Sequence, residues 1–246
     1  MVNSSSFVIS SLIALLMFGC AQVAWESEEK TQQIVQETNV AQLLTAAQTV
    51  QKEEVLFKNG NYFLGSHRYK DAVVEYDKLL AVKPDRADAW NNRGNALNAL
   101  NQYQEAVDSY SKAIALRSDK HESWYNQGNA LMAMQRYLEA VTSYDQSITI
   151  KPDKYEAWIN RGIALAKLKR YQEAIASYDK AIAINPNQHK IYYNKACAYA
   201  LQENVELAVE NLQKAIKLSP GKYEKLIKTD PDFHKVRDDK RFQVLL

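Results

Sequence analysis

Between residues 53 and 222, apolar residues recur at three- and four-residue steps in paired stripes separated by short polar breaks. Residues 88–114, DAWNNRGNALNALNQYQEAVDSYSKAI, show one pair. Trp90, Ala96, Leu97 and Leu100 fall at helical spacing. A second stripe runs through Tyr103, Ala106 and Tyr110 after a break at Asn101, a residue favoured in turns. The pattern predicts two amphipathic helices, at about positions 2–14 and 18–31 of each such unit. Only seven glycines and five prolines occur, which excludes long coil and turn-rich β architecture. The first stripe also carries asparagine at 91, 92, 95 and 98. Asparagine competes for nearby backbone groups and is a poor helix former, so its abundance here needs a reason.

The paired stripe repeats. Residues 87–120, 121–154 and 155–188 begin ADAWNNRGNAL, HESWYNQGNAL and YEAWINRGIAL. They continue YQEAVDSYSKAI, YLEAVTSYDQSI and YQEAIASYDKAI, at a period of 34. Trp90, Trp124 and Trp158 fall on that period, as do Gly94, Gly128 and Gly162, and Ala106, Ala140 and Ala174. Residues 53–86 keep Gly60, Tyr69, Ala72, Tyr76 and Pro84, with Leu56 at the Trp position. Residues 189–222 keep Ala208, Ala215 and Pro220. There Tyr192 takes the Trp position, Ala196 the Gly position and Leu212 the second Tyr position.

This signature resembles the tetratricopeptide repeat family. The resemblance implies an all-α fold: a right-handed α-solenoid of five helix-turn-helix repeats, 53–86, 87–120, 121–154, 155–188 and 189–222. Two departures stand out. Asn59, Arg93, Gln127, Arg161 and Lys195 occupy the position where the family usually has Leu, and Ser118 replaces a closing proline. Small residues at the Gly and first Ala positions let the paired helices approach closely, and Trp and the second Tyr fill the space around that contact. Each pair keeps an apolar face that only its neighbour covers, so the open end needs a cap. Residues 223–246, YEKLIKTDPDFHKVRDDKRFQVLL, are expected to supply capping helices. Tyr223, Leu226 and Ile227 would pack on the fifth repeat. Asp230-Pro231 reads as a helix start. Phe233, Val236, Phe242, Leu245 and Leu246 would fold back on the array.

In the resembled family the first helices line a concave groove, through positions 2, 5, 6, 9, 12 and 13. The resemblance therefore places a peptide-binding groove at Asn61, Asn91, Asn92, Asn95, Asn98, Tyr125, Asn126, Asn129, Ile159, Asn160, Lys190, Tyr193 and Asn194. Asn92, Asn126, Asn160 and Asn194 form a ladder, with Asn61, Asn95 and Asn129 beside it. A carboxamide donates and accepts, so such a ladder suits the backbone of an extended peptide. The same amides would equally serve to join neighbouring repeats. Phe57, Leu64, Met132, Ile163, Cys197 and Leu201 add apolar groove positions. A carboxylate clamp used by some relatives for chaperone tails is matched only at Asn129, Asn160 and Lys190. Tyr125 and Asn194 stand where it needs Lys and Arg, which excludes that ligand.

The N-terminal 20 residues have another character. Residues 7–18, FVISSLIALLMF, are uncharged and apolar, of signal-peptide length. LLMFGCA resembles a bacterial lipoprotein signal, which implies lipidation at Cys20 and export to a periplasmic or luminal membrane surface. Residues 7–25 also fit an uncleaved anchor, and cleavage near Ala21 or Ala24 would export the protein in soluble form. Residues 21–52, rich in Gln, Glu and Thr, read as a polar tether, in part helical.

Composition narrows the chemistry. The net charge of +2 gives no basic stripe for nucleic acid. Two cysteines in unlike regions and four scattered histidines offer no disulfide framework and no zinc spacing. Gly-rich phosphate loops, GxSxG and HExxH are absent from the sequence. Glu105, Glu139 and Glu173 recur as solvated helix starts at the positive end of the dipole. The chain is expected to be a non-catalytic scaffold without a cofactor, binding a protein or peptide near a membrane. A self-assembling oligomer and an assembly factor for a membrane complex are the alternatives.

Overall fold

A computed structural model describes the backbone of residues 4–245 and the side chains of residues 25 and 27–245. The side chains of the apolar run at 7–18 and of the lipidation candidate Cys20, and the whole of Leu246, lie outside what is described. Among the described residues there is no strand, and no helix is long and apolar enough to cross a membrane. The chain divides into two units, Met1–Val55 and Leu56–Leu246. A helix, α1, runs from Ser4 to Gly65; its side chains from 27 to 52 are exposed. The array continues through α2 (Tyr69–Val82), α3 (Ala87–Ala99), α4 (Tyr103–Leu116), α5 (His121–Ala133) and α6 (Tyr137–Ile150). It goes on through α7 (Tyr155–Lys167), α8 (Tyr171–Ile184), α9 (His189–Leu201) and α10 (Val205–Leu218). The end of α1, through Leu56, Phe57, Gly60, Phe63 and Leu64, packs on α2, and α3, α5, α7 and α9 each pair with the next helix. The result is an α-solenoid of five helix-turn-helix repeats.

The pairing depends on one close approach. Tyr76, Tyr110, Tyr144 and Tyr178 are fully buried, and each lays its ring against the glycine of the same copy. A Cβ on Gly60, Gly94, Gly128 or Gly162 would meet the tyrosine ring at 2.5–2.6 Å. No real Cβ tolerates that distance, so these glycines are required by packing rather than by backbone freedom. The fifth copy changes both partners together: Ala196 takes the glycine position and Leu212 the ring position, and both are fully buried.

The two helices of each pair meet at a tight turn. His67, Asn101, Gln135, Lys169 and Glu203 there have φ between 59° and 62°. The following amide closes the turn, as Gln102 N to Leu97 O at 2.9 Å and Arg170 N to Leu165 O at 2.9 Å. This is the left-handed helix end, which asparagine tolerates best among these residues.

Neighbouring pairs are joined by side chains recurring on the period. The position-4 aromatic donates to a carbonyl ending the previous copy: Trp90 Nε1 to Pro84 O at 2.8 Å, Trp124 Nε1 to Ser118 O at 3.0 Å, and Trp158 Nε1 to Pro152 O at 2.9 Å. Tyr192 Oη repeats this with Pro186 O at 2.9 Å. The acceptor is a backbone carbonyl, so Ser118 serves as well as proline. The polar residues replacing the family's leucine form a second seam. Arg93 Nε donates to Asp77 at 2.6 Å, Arg161 Nε to Asp145 at 2.5 Å and Lys195 Nζ to Asp179 at 2.5 Å. Where the third copy carries Gln127, its partner in the previous copy is Ser111, at 2.9 Å. Charge is thus matched across each of these junctions. Arg93 and Arg161 also donate to the buried Ser109 and Ser177, both at 2.7 Å.

The last residues close the array. Tyr223 falls 34 residues after His189, so residues 223–227, YEKLI, stand in register with 155–159, YEAWI. They begin a sixth first-helix that Asp230-Pro231 stops: α11 spans Leu226–Thr229, a 3₁₀ turn Pro231–Phe233, and α12 Lys240–Gln243. Asp230 accepts from the Asp232 amide at 2.9 Å as the cap of the 3₁₀ turn. Tyr223, Ile227, Phe233, Val236 and Phe242 are buried against α9 and α10, and Leu245 packs beside them. Leu226 departs from expectation and is 43% exposed. It holds the position-4 place, which in a full copy lies between the preceding copy and its own second helix, as Trp90 does between Pro84 and Lys112. No second helix follows Leu226 to cover it.

Gly128→Ala is expected to destabilise the array. Overpacking costs about 1–3 kcal/mol, against a helix-propensity gain of at most about 1 kcal/mol. Adding Tyr144→Leu, which reproduces the fifth-copy pair, should make the double variant more stable than the sum of the single effects; urea unfolding of all four proteins measures the coupling.

Candidate functional site

The amides of the first helices form a connected network. In each of the first three copies a buried tyrosine donates to the position-9 asparagine of its own copy: Tyr76 to Asn61 at 2.7 Å, Tyr110 to Asn95 at 2.9 Å and Tyr144 to Asn129 at 2.9 Å. The same carbonyl accepts from the position-6 asparagine of the next copy: Asn92 to Asn61 at 2.9 Å, Asn126 to Asn95 at 3.0 Å and Asn160 to Asn129 at 2.9 Å. Burial pushes the Tyr76 phenol up to about 12, and Tyr110 and Tyr144 further in the same direction. These hydroxyls therefore remain donors at neutral pH. Six of the expected groove asparagines thus connect one copy to the next.

The remaining expected groove residues divide by environment. Asn91 donates to Asn92 Oδ1 at 3.2 Å and accepts from Ser123 Oγ at 3.2 Å. Asn98 Oδ1 is buried without a hydrogen-bond partner. Tyr125 accepts from Asn160 at 3.2 Å and carries Lys154 Nζ 4.6 Å above its ring. Lys190 is exposed. Ile159 and Tyr193 are buried, Ile159 in the core and Tyr193 at 8% exposure beneath the C-terminal cap. Phe57, Asp88, Asn91, Asn92, Lys120, Glu122 and Ser123 line a cavity of about 290 Å³.

The amide network stops at the fourth copy because Ile163 occupies the position of Asn61, Asn95 and Asn129. Asn194, the next position-6 amide, has no side-chain hydrogen bond there. A chamber of about 380 Å³ opens at this junction. Ile163, Ala166, Cys197, Ala198 and Leu201 supply apolar wall. Lys167, Lys169, Asn194 and the carboxylates of Asp230 and Asp232 supply polar wall. The two aspartates come from the capping segment, which is why the periodic pattern gave no sign of them.

Cys197, Asp230 and Asp232 bring ligand-type atoms within 4.8 Å of one another. Their chemistry is that of protein partners. Tyr193 donates to Asp230, which also caps the 3₁₀ turn. Burial, with Asp230 and Asp232 nearby, pushes the Cys197 thiol well up, which keeps it protonated and a poor nucleophile. Desolvation and the Asp230 charge raise Asp232, and Lys167 partly offsets them.

Asn129→Ala should cost about 1–3 kcal/mol, because it leaves the buried Tyr144 hydroxyl and the Asn160 amide without their acceptor. Tyr144→Phe in that background should recover part of the loss by removing the stranded hydroxyl. Equilibrium denaturation of both variants checks this.

Three models described as "Tetratricopeptide repeat" match residues 87–120, 125–189 and 177–210. A comparison with curated proteins returned no match. The fold is similar to the crystal structure of MamA protein, with a TM-score of 0.66 at 20% identity over 73% of this chain and 96% of that one. It is similar also to YrrB, "a TPR protein with an unusual peptide-binding site", with a TM-score of 0.64 at 26% identity over 72% and 93%. MamA from Desulfovibrio magneticus RS-1 gives 0.65 at 19% identity over 68% and 94%. With the period, the Gly–Tyr contact and the stacked helix pairs, these matches establish that the chain carries tetratricopeptide repeats.

Proposed function

We propose that the array is a non-catalytic scaffold that holds an extended segment of another protein along its first-helix face, close to a membrane. The observation that carries this reading is the chamber at the fourth–fifth junction. There the inter-copy amide bonds give way to an unfilled space with a polar end and apolar walls. A rigid groove held by internal amide bonds loses little freedom on binding, which favours affinity. The likeness to YrrB, a repeat protein with a peptide-binding site, supports a polypeptide ligand. The shielded thiol of Cys197 and the absence of nucleophile–base motifs support a role without chemistry. The likeness of LLMFGCA to a lipoprotein signal supports the membrane location.

A second reading, self-association, draws on α1, where Trp25, Ile34, Val35, Leu43, Leu44 and Val50 are all exposed. That stretch presents more aliphatic surface than a solvated tether needs.

A photo-crosslinking residue at Leu201 in the full chain should give discrete adducts with a second protein, and one at Lys180 on the outer face of α8 should not. Adducts from Lys180 alone would move the binding site off the groove, and adducts at the mass of two copies would favour self-association. Cys20→Ser should shift the protein from the membrane to the soluble fraction on sedimentation; unchanged sedimentation would remove lipidation as the anchor.

A further inference from the structure

We propose that the chamber between the fourth and fifth repeats is a subsite for one cationic side chain, lysine or arginine, of the bound polypeptide. The inference rests on the groove-binding reading above and adds what the groove selects.

The chamber exists because two positions depart from the period together. Ile163 removes the acceptor that would engage Asn194, and the Asp230-Pro231 stop turns the sixth first-helix into a short segment that carries Asp230 and Asp232 to the same place. At about 380 Å³ it has room for one long side chain. Ile163, Ala166 and Leu201 offer apolar surface to a methylene stem, the way lysine and arginine stems are commonly covered. Asp230 and Asp232 offer carboxylate oxygens to its charged end.

The charge distribution favours a cation over a neutral or acidic group. Asp230 already accepts from Tyr193 and from the Asp232 amide. Asp232 is half-buried, and no positive side chain forms an ion pair with it. Burial and the neighbouring Asp230 raise its proton affinity, so its negative charge is under-compensated where it stands. Lys167 and Lys169 also line the chamber, but both keep their side chains exposed in solvent, and of the two only Lys167 acts on Asp232. A ligand ammonium or guanidinium entering the chamber would compensate that charge, and Asn194 would give it a free carbonyl acceptor. An acidic side chain would meet two carboxylates.

A positional-scanning peptide library binds to the full chain, to Asp232→Asn and to Ile163→Asn, each first shown by circular dichroism to be equally helical. Asp232→Asn removes the charge without touching the cap bond, which runs from the Asp232 backbone amide to Asp230. Ile163→Asn restores the missing acceptor for Asn194, tying that amide into the ladder, and removes apolar wall that would cover a side-chain stem. The expected result is about tenfold enrichment of Lys or Arg at one library position with the native chain, the value of one charge-assisted contact. Both variants should lose that preference while other positions are unchanged. Peptides retained without a cationic preference, or with one that survives both substitutions, would overturn the subsite and leave the groove reading standing. Failure of the native chain to retain any peptide would overturn both.

Discussion

A tyrosine ring lying on a bare glycine backbone fixes the distance between the paired helices in the first four copies, and the remaining contacts depend on that distance. With the ring at that position, its hydroxyl in the first three copies reaches the asparagine that directly follows the glycine in the first helix. That carbonyl is then turned to accept from the next copy. A contact within one repeat thereby sets a hydrogen bond between two. Repeat proteins need such coupling, because each pair can bury its apolar face only against a neighbour. The fifth copy shows the constraint from the other side: a Cβ is admitted at Ala196 only where the ring has become Leu212.

The network also settles what the asparagines do. The carboxamides of Asn61, Asn92, Asn95, Asn126, Asn129 and Asn160 are tied to tyrosines and to one another, so this part of the first-helix face is a polar surface whose main hydrogen bonds are internal. Buried polar groups of this kind specify one register of stacking, because a shifted register would strand several of them at once. The second seam acts alike: Arg93 with Asp77, Arg161 with Asp145 and Lys195 with Asp179 carry opposite charges, and uncharged Gln127 meets uncharged Ser111. Each of these pairs is partly exposed and contributes little energy alone. Their matching distinguishes the correct neighbour from a wrong one.

The chamber lies where this regularity ends. Ile163 interrupts the amide ladder, Asn194 is left without a partner, and the broken sixth helix adds two carboxylates. A surface that fully satisfies itself has little to offer a ligand. A junction with an open space and an under-compensated charge has more.

The sequence by itself determined the helix pairs, their period, the five copies and the solenoid, because the apolar spacing, Gly128 with Tyr144 and their equivalents recur every 34 residues. It also marked the helical start at Asp230-Pro231, which caps a 3₁₀ turn, and the apolar residues that fold back. The exposure of Leu226 was not legible, since its cover would have come from a helix that does not exist. Nor could sequence choose between amides that face a ligand and amides that join repeats. That depended on whether Tyr144 Oη and Asn160 reach the same oxygen of Asn129, which is a matter of ångströms set by packing. The meeting of Asp232 with Ile163, residues from different copies and off the period, was decided by the tertiary structure alone. Only the folding of the capping segment against α9 brings them to one cavity.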